Sequence, residues 1–204
     1  MEALCRPPAG NLLSNPEFLF KSALSLGKYF ELEMMSWRMA FAHWRQFAAP
    51  GKLFLNCSPY LVESERFHEN VFFQSPNLMP GRVVLEITER LAIKDYKIFI
   101  KKLLKLKELG FEIAVDDVGT GFSGLETIAE LNPNYVKIDM ALVRKIHLDK
   151  LKLNIVEAIA AFCRKSGIIT IAEGIEEREE LDTVIELGVD AAQGFLLGKP
   201  SQEI

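Results

Sequence analysis

Ile113-Ala114-Val115-Asp116-Asp117 is an apolar run of strand length that ends on two adjacent acids. Upstream, Tyr96, Phe99, Ile100, Leu103 and Leu104 recur at helical spacing, while Lys97, Lys101, Lys102 and Lys105 fall on the opposite side. That pattern predicts an amphipathic helix with its lysines facing outward. Gly110 closes the helix, where a residue able to turn left-handed is wanted. Strand, polar end, loop and helix then repeat along the chain. Leu53-Phe54-Leu55 ends at Asn56, Val83-Val84-Leu85 at Glu86, and Tyr135-Val136 at Lys137; Ile168 to Ala172 ends at Glu173, and Ala191-Ala192 at Gln193. Helices over Leu151 to Lys165 and Glu177 to Leu187 stop near Gly167 and Gly188. Strand-length apolar runs alternating with helices predict parallel βα units.

The first fifty residues read differently. Pro7, Pro8 and Gly10 mark a loop, and Ser14-Asn15-Pro16-Glu17 resembles a helix start. A helical stretch is predicted from about Pro16 to Ala48, with Gly27 as a break. Trp37 and Trp44 fall near one helical face and are expected to pack in a core or interface. Six strands are readable, and residues 1–5 look like the stub of a seventh. The expected fold is α/β, a (β/α)8 TIM-like barrel whose first strand would lie upstream of Met1, with residues 1–204 as one domain.

Composition narrows the function. A net charge of −4 offers no basic stripe, which argues against a DNA or RNA platform. The longest apolar stretches are of strand length, so no membrane span is expected. No signal peptide is visible, and Cys5, Cys57 and Cys163 have neither metal-ligand spacing nor the pattern of a disulfide framework. Reduced thiols in a cytoplasmic protein are the expectation.

In such a barrel all strand C-termini meet at one mouth. Glu2, Asn56, Glu86, Asp116, Asp117, Lys137, Glu173 and Gln193 would converge there, five of them carboxylates. Converging anions repel unless compensated, and one lysine is not enough, so bound cations are implied. An all-oxygen set suits Mg²⁺, Mn²⁺ or Ca²⁺ rather than zinc. Two such ions could activate a water for phosphodiester hydrolysis, with Lys137 orienting or deprotonating it. The competing readings are that each acid caps a strand or pairs at the surface, and that Lys137 only neutralises Asp116 or Asp117. Gly119, Gly121 and Gly124 predict a mobile loop, and His43, His68 and His147 read as structural or solvent-facing.

The same residues resemble the EAL domain of bacterial cyclic di-GMP signalling. Glu2-Ala3-Leu4-Cys5-Arg6 resembles its E-A-L-x-R signature, Leu55-Asn56-Cys57-Ser58 its asparagine strand, and Leu85-Glu86-Ile87-Thr88-Glu89 its L-E-I-T-E segment. Asp116 to Ser123 is similar to D-D-F-G-T-G-Y-S, with Val118 and Phe122 in place of Phe and Tyr. Lys137-Ile138-Asp139, Ala172-Glu173-Gly174-Ile175-Glu176 and Gln193-Gly194-Phe195 resemble K-I-D, A-E-G-V-E and Q-G-Y. The resemblance implies metal ligands at Glu2, Asn56, Glu86, Asp116 and Asp117, with Glu173 near the same centre. It implies that Lys137 acts on the water, that Glu176 and Gln193 complete the site, and that Arg6 contacts a substrate phosphate. Glu89 would brace the loop after Asp117. The implied activity is hydrolysis of cyclic di-GMP to linear pGpG with Mg²⁺ or Mn²⁺, two ions per site. A receptor that binds the nucleotide without cutting it is the alternative, and a regulatory dimerisation module a third reading. A homodimer and an upstream sensor or GGDEF domain are the partners the resemblance implies.

Overall fold

Val83 to Ile87 is buried along its whole length, glutamate included, and its chain passes from one compact unit into another after Leu85. In this computed structural model residues 1–7, 9–10, 12–46, 51–70, 80–87, 95–119 and 125–201 are described. Among them are seven strands: β1 (Glu2–Ala3), β2 (Leu53–Asn56), β3 (Val83–Ile87), β4 (Glu112–Val118), β5 (Tyr135–Ile138), β6 (Ile169–Ala172) and β7 (Ala191–Ala192). The helices are α1 (Pro16–Ser25), α2 (Tyr29–Gln46), α3 (Pro59–Glu63), α4 (Glu65–Asn70), α5 (Tyr96–Glu108), α6 (Leu125–Leu131), α7 (Met140–Val143), α8 (Lys150–Lys165) and α9 (Arg178–Glu186). Strand order follows chain order, β1 to β7. That is the sequential parallel βα topology expected, because parallel neighbours need a crossover between them.

The first unit holds β1, β2 and helices α1 to α5. Strands β1 and β2 run parallel, with Glu2 opposite Phe54 and Ala3 opposite Leu55. Gly27, at φ 66°, breaks the predicted N-terminal helix into α1 and α2. Trp37 and Trp44 are both buried, as expected of core packing, and the Trp37 ring meets Phe67 edge-on at 5.3 Å. On α5 two expectations need correction. Leu104 is exposed and Leu106 fully buried instead, because the apolar stripe is centred on Phe99, Leu103 and Leu106. Lys102 does not face outward: its stem is half-buried, and its ammonium pairs with Glu65 at 2.7 Å and donates to the Glu63 carbonyl. A cation is favoured at that exposed carbonyl end of α3.

Glu33 on α2 is a buried carboxyl of this unit, accepting from Ser58 N at 2.7 Å and Ser58 Oγ at 2.6 Å. Burial pushes its carboxyl up to about 7, against an ordinary 4.5, although both Ser58 bonds pull the other way. Tyr29, Cys57 and Tyr60 face the same cluster, and burial pushes Tyr29 up to about 12 and the Cys57 thiol well above its usual range. Native Glu33 therefore keeps its proton where the unfolded chain has lost it. Its contribution to stability is greatest below about pH 4.5 and is lost as pH rises to about 7, on the order of 3 kcal/mol in all. Glu33→Gln should flatten that part of the pH profile. Denaturant unfolding at pH 5 and 7.5 measures it, and an unchanged slope would refute the assignment.

The second unit holds β4 to β7 and helices α6 to α9, together with Glu86 and Ile87. Its strands pair parallel in sequence, with Lys137 opposite Ile171 and Ala172 opposite Ala192. Ile113, Val136, Ile138, Val156 and Cys163 are fully buried in its core. Each large aliphatic side chain buried this way contributes about 1.5–3 kcal/mol. Gly110, Gly167 and Gly188 sit at φ 94°, 70° and 76°, as their helix ends require.

Candidate metal centre

Side chains on a regular strand alternate between faces, so adjacent acids should point apart. Asp116 and Asp117 do not. The β4–β5 register shifts between Val115 and Val118, and Asp117 takes φ 56°. This bulge re-aims the second acid. As a result, carboxylate oxygens of Asp116, Asp117 and Glu173 all lie within 4.8 Å of one another. Glu173 arrives from the end of β6, its N–H donating to the Ile138 carbonyl at 3.0 Å.

Lys137, on β5, is almost completely buried among acids. Its Nζ lies 2.6 Å from Glu86 Oε1, 2.9 Å from Glu173 Oε1 and 3.2 Å from Asp116 Oδ1. Gln193 Nε2 donates to the same Glu173 oxygen at 2.6 Å. Lys137 therefore does neutralise Asp116, but two glutamates share it. Among the described residues, four carboxylates, Glu86, Asp116, Asp117 and Glu173, gather around one ammonium, so like charges crowd one another if all are ionised. At separations of this order each like-charge pair costs about 3 kcal/mol at an effective dielectric near 20. A hard divalent cation held by oxygen ligands offsets that repulsion, so the donor set fits Mg²⁺, Mn²⁺ or Ca²⁺.

Glu176 follows a different partner. It is ion-paired with Arg144, which holds its carboxyl below the usual carboxylate range. Both belong to loops tied together by Glu180, whose carboxylate accepts N–H bonds from Lys145 at 2.8 Å, Glu176 at 2.9 Å and Glu177 at 3.1 Å. Burial works to raise the Glu180 carboxyl, but those backbone donors pull it below its ordinary value. Sequence reading missed Arg144 and Glu180, although Glu177 and Glu180 stand at the spacing of a helix capping box.

Glu2, Asn56 and Arg6 belong to the first unit. Glu2 is half-buried on β1, and its register partner Phe54 stands two residues before Asn56, so all three share one face of the β1–β2 pair. Asn56 ends β2 with its side chain exposed, and its carbonyl accepts from Trp37 Nε1 at 2.9 Å. Arg6 is exposed beyond β1. Glu89, Gly121, Phe122 and Gly124 lie outside the described residues, as does the His68 side chain. His43 is exposed and His147 half-buried; neither belongs to the acid cluster. Cys57 and Cys163 are buried free thiols, whereas Cys5 is only half-buried. No helix among the described residues is long and apolar enough to cross a membrane.

Known proteins are similar to this chain in sequence and in fold. The chain is 33% identical over 148 residues, 72% of its length, to the cyclic di-GMP phosphodiesterase PdeF of Escherichia coli, and 38% identical over 118 residues, 58% of its length, to PdeB of Shewanella oneidensis. Those matches cover 20% and 14% of the two relatives, so the chain spans about one fifth or less of their length. Among solved structures, Klebsiella pneumoniae BlrP1 in complex with calcium and cyclic di-GMP superposes with a TM-score of 0.88 at 32% identity, over 100% of this chain and 52% of that one. The EAL domain of Mycobacterium smegmatis DcpA gives a TM-score of 0.77 at 33% identity, over 83% of this chain and 79% of that one. The family model for the EAL domain matches residues 1–200, and with seven strands in sequential parallel order and the acids gathered at strand ends, the chain belongs to the EAL domain family.

Proposed function

We propose that residues 1–204 work as a cyclic di-GMP phosphodiesterase domain that opens one phosphodiester of the ring to give linear pGpG. The observation that carries this reading is the buried Lys137 ammonium within 3.2 Å of Glu86, Asp116 and Glu173, beside the Asp116–Asp117–Glu173 carboxylate cluster. BlrP1, similar over the whole chain, is known in complexes with cyclic di-GMP and calcium or manganese.

Glu86, Asp116, Asp117 and Glu173 would hold Mg²⁺ or Mn²⁺, two ions per site, with Glu2 and Asn56 supplying further oxygens. When bound, such ions activate water and stabilise charge on the leaving oxygen. Lys137 orients that water, and its three carboxylate partners keep the ammonium from straying. Gln193 fixes the Glu173 oxygen that Lys137 also touches. Arg6 meets a substrate phosphate, Glu176 completes the site once released from Arg144, and Glu89 braces the loop after Asp117. The domain acts in the cytoplasm, as a homodimer, downstream of a sensor or GGDEF domain.

Incubation of the parent protein with cyclic di-GMP and saturating Mn²⁺, followed by chromatography, should yield the linear dinucleotide. Glu86→Ala should abolish it. Binding of the nucleotide without any linear product would overturn hydrolysis in favour of a receptor.

A further inference from the structure

Asn56 is held by more than its strand. Helix α2 presents two polar groups one turn apart, Glu33 and Trp37, and both reach the end of β2. The Trp37 indole donates to the Asn56 carbonyl at 2.9 Å. Two residues on, Glu33 Oε1 accepts from Ser58 N at 2.7 Å, and Oε2 from Ser58 Oγ at 2.6 Å. The tripeptide Asn56-Cys57-Ser58 is thus fixed at both ends to one helical face, with Cys57 fully buried between. Only the Asn56 side chain is left exposed.

Helix capping does not account for Glu33. Ser58 already caps α3 by accepting from Leu61 N at 3.2 Å, a bond any serine at this position can make. Glu33 is 4% exposed, and among the described residues no cation pairs with it. An uncompensated buried carboxyl is expensive, and an apolar residue of similar volume is the cheaper choice for packing alone. Its two bonds go to the segment that fixes the backbone of a single candidate ligand. Groups that orient a ligand from behind characteristically change metal affinity 10- to 100-fold when removed.

We propose that Glu33 is a positioning residue: through Ser58 it pins the strand end that carries Asn56, and so sets the affinity of that asparagine for a divalent cation. This rests on the reading of Asn56 as a metal ligand.

The test is Mn²⁺ affinity of the metal-free full chain, followed by electron paramagnetic resonance, with thermal unfolding as the control for folding. Asn56→Ala should weaken Mn²⁺ binding about 10-fold or more. Glu33→Met keeps volume and removes the charge, so it should stay folded yet weaken Mn²⁺ about 10-fold, and excess Mn²⁺ should restore its turnover. Glu33→Gln can still accept from Ser58 N and donate to its hydroxyl, and should stay within about 3-fold of the parent. Ser58→Ala, which removes the hydroxyl half of the clamp together with the cap on Leu61 N, should fall between the two. If Asn56→Ala binds Mn²⁺ normally, the ligand reading fails and the proposal with it. If Asn56→Ala is impaired but folded Glu33→Met or Ser58→Ala binds normally, the positioning role alone is overturned.

Discussion

Replacing Lys137 with alanine is expected to lower turnover by about three orders of magnitude and to make the metal-free protein markedly less stable. Lys137 has 2% side-chain exposure, and Glu86 beneath it has none. Removing the cation leaves Glu86, Asp116 and Glu173 facing one another in a buried space. Breaking a buried ion pair from one side costs about 3–5 kcal/mol, because the partner charge stays behind without compensation. The lost stability should return in part on acidification, which protonates the orphaned acids, and in part with Mn²⁺, which replaces the missing charge. Activity should not return with Mn²⁺, because charge is restored but the ammonium that orients the water is not. Calorimetry with and without Mn²⁺, beside steady-state kinetics at saturating Mn²⁺, separates the two roles. Wild-type turnover in a folded Lys137→Ala protein would remove Lys137 from the mechanism.

Gly194→Ala is expected to cost about 3 kcal/mol or more and to weaken divalent-ion binding with it. A Cβ at Gly194 would lie 2.2 Å from both the nitrogen and the carbonyl oxygen of Ile175. These are backbone atoms that cannot rotate aside, and the residue already sits at φ 157°. Relief requires moving the turn after Gln193, whose carbonyl accepts from Ile175 N at 3.1 Å and whose side chain holds Glu173. Gly198→Ala is the control, since a Cβ there meets nothing within 4 Å. Equal melting temperatures for the two variants would contradict the close approach.

The strands and their polar ends were legible because their signal is local: a short apolar run, then a charged or amide residue. Gly110, Gly167 and Gly188 announced helix ends for the same reason. The bulge at Asp116–Asp117 was not legible. Two adjacent acids read alike whether they diverge or converge, and the difference lies in a register shift against β5. Nor could Glu33 be joined to Ser58 across 25 residues, since a glutamate on an amphipathic helix ordinarily faces water. Leu104 was misassigned and Leu106 passed over, because both are leucines close to the stripe that holds Phe99. Only the centre of the buried stripe decides between them.

A lysine held among three acids also bears on how quickly such a site fills. A centre whose ligands assemble only around the ion must fold and bind in one event, so loading waits on the chain. Here Lys137 acts as a resident counter-ion that lets the acids gather beforehand. An ion entering the proposed site would find these acids already gathered, and the pace of loading would be set by how fast it sheds water.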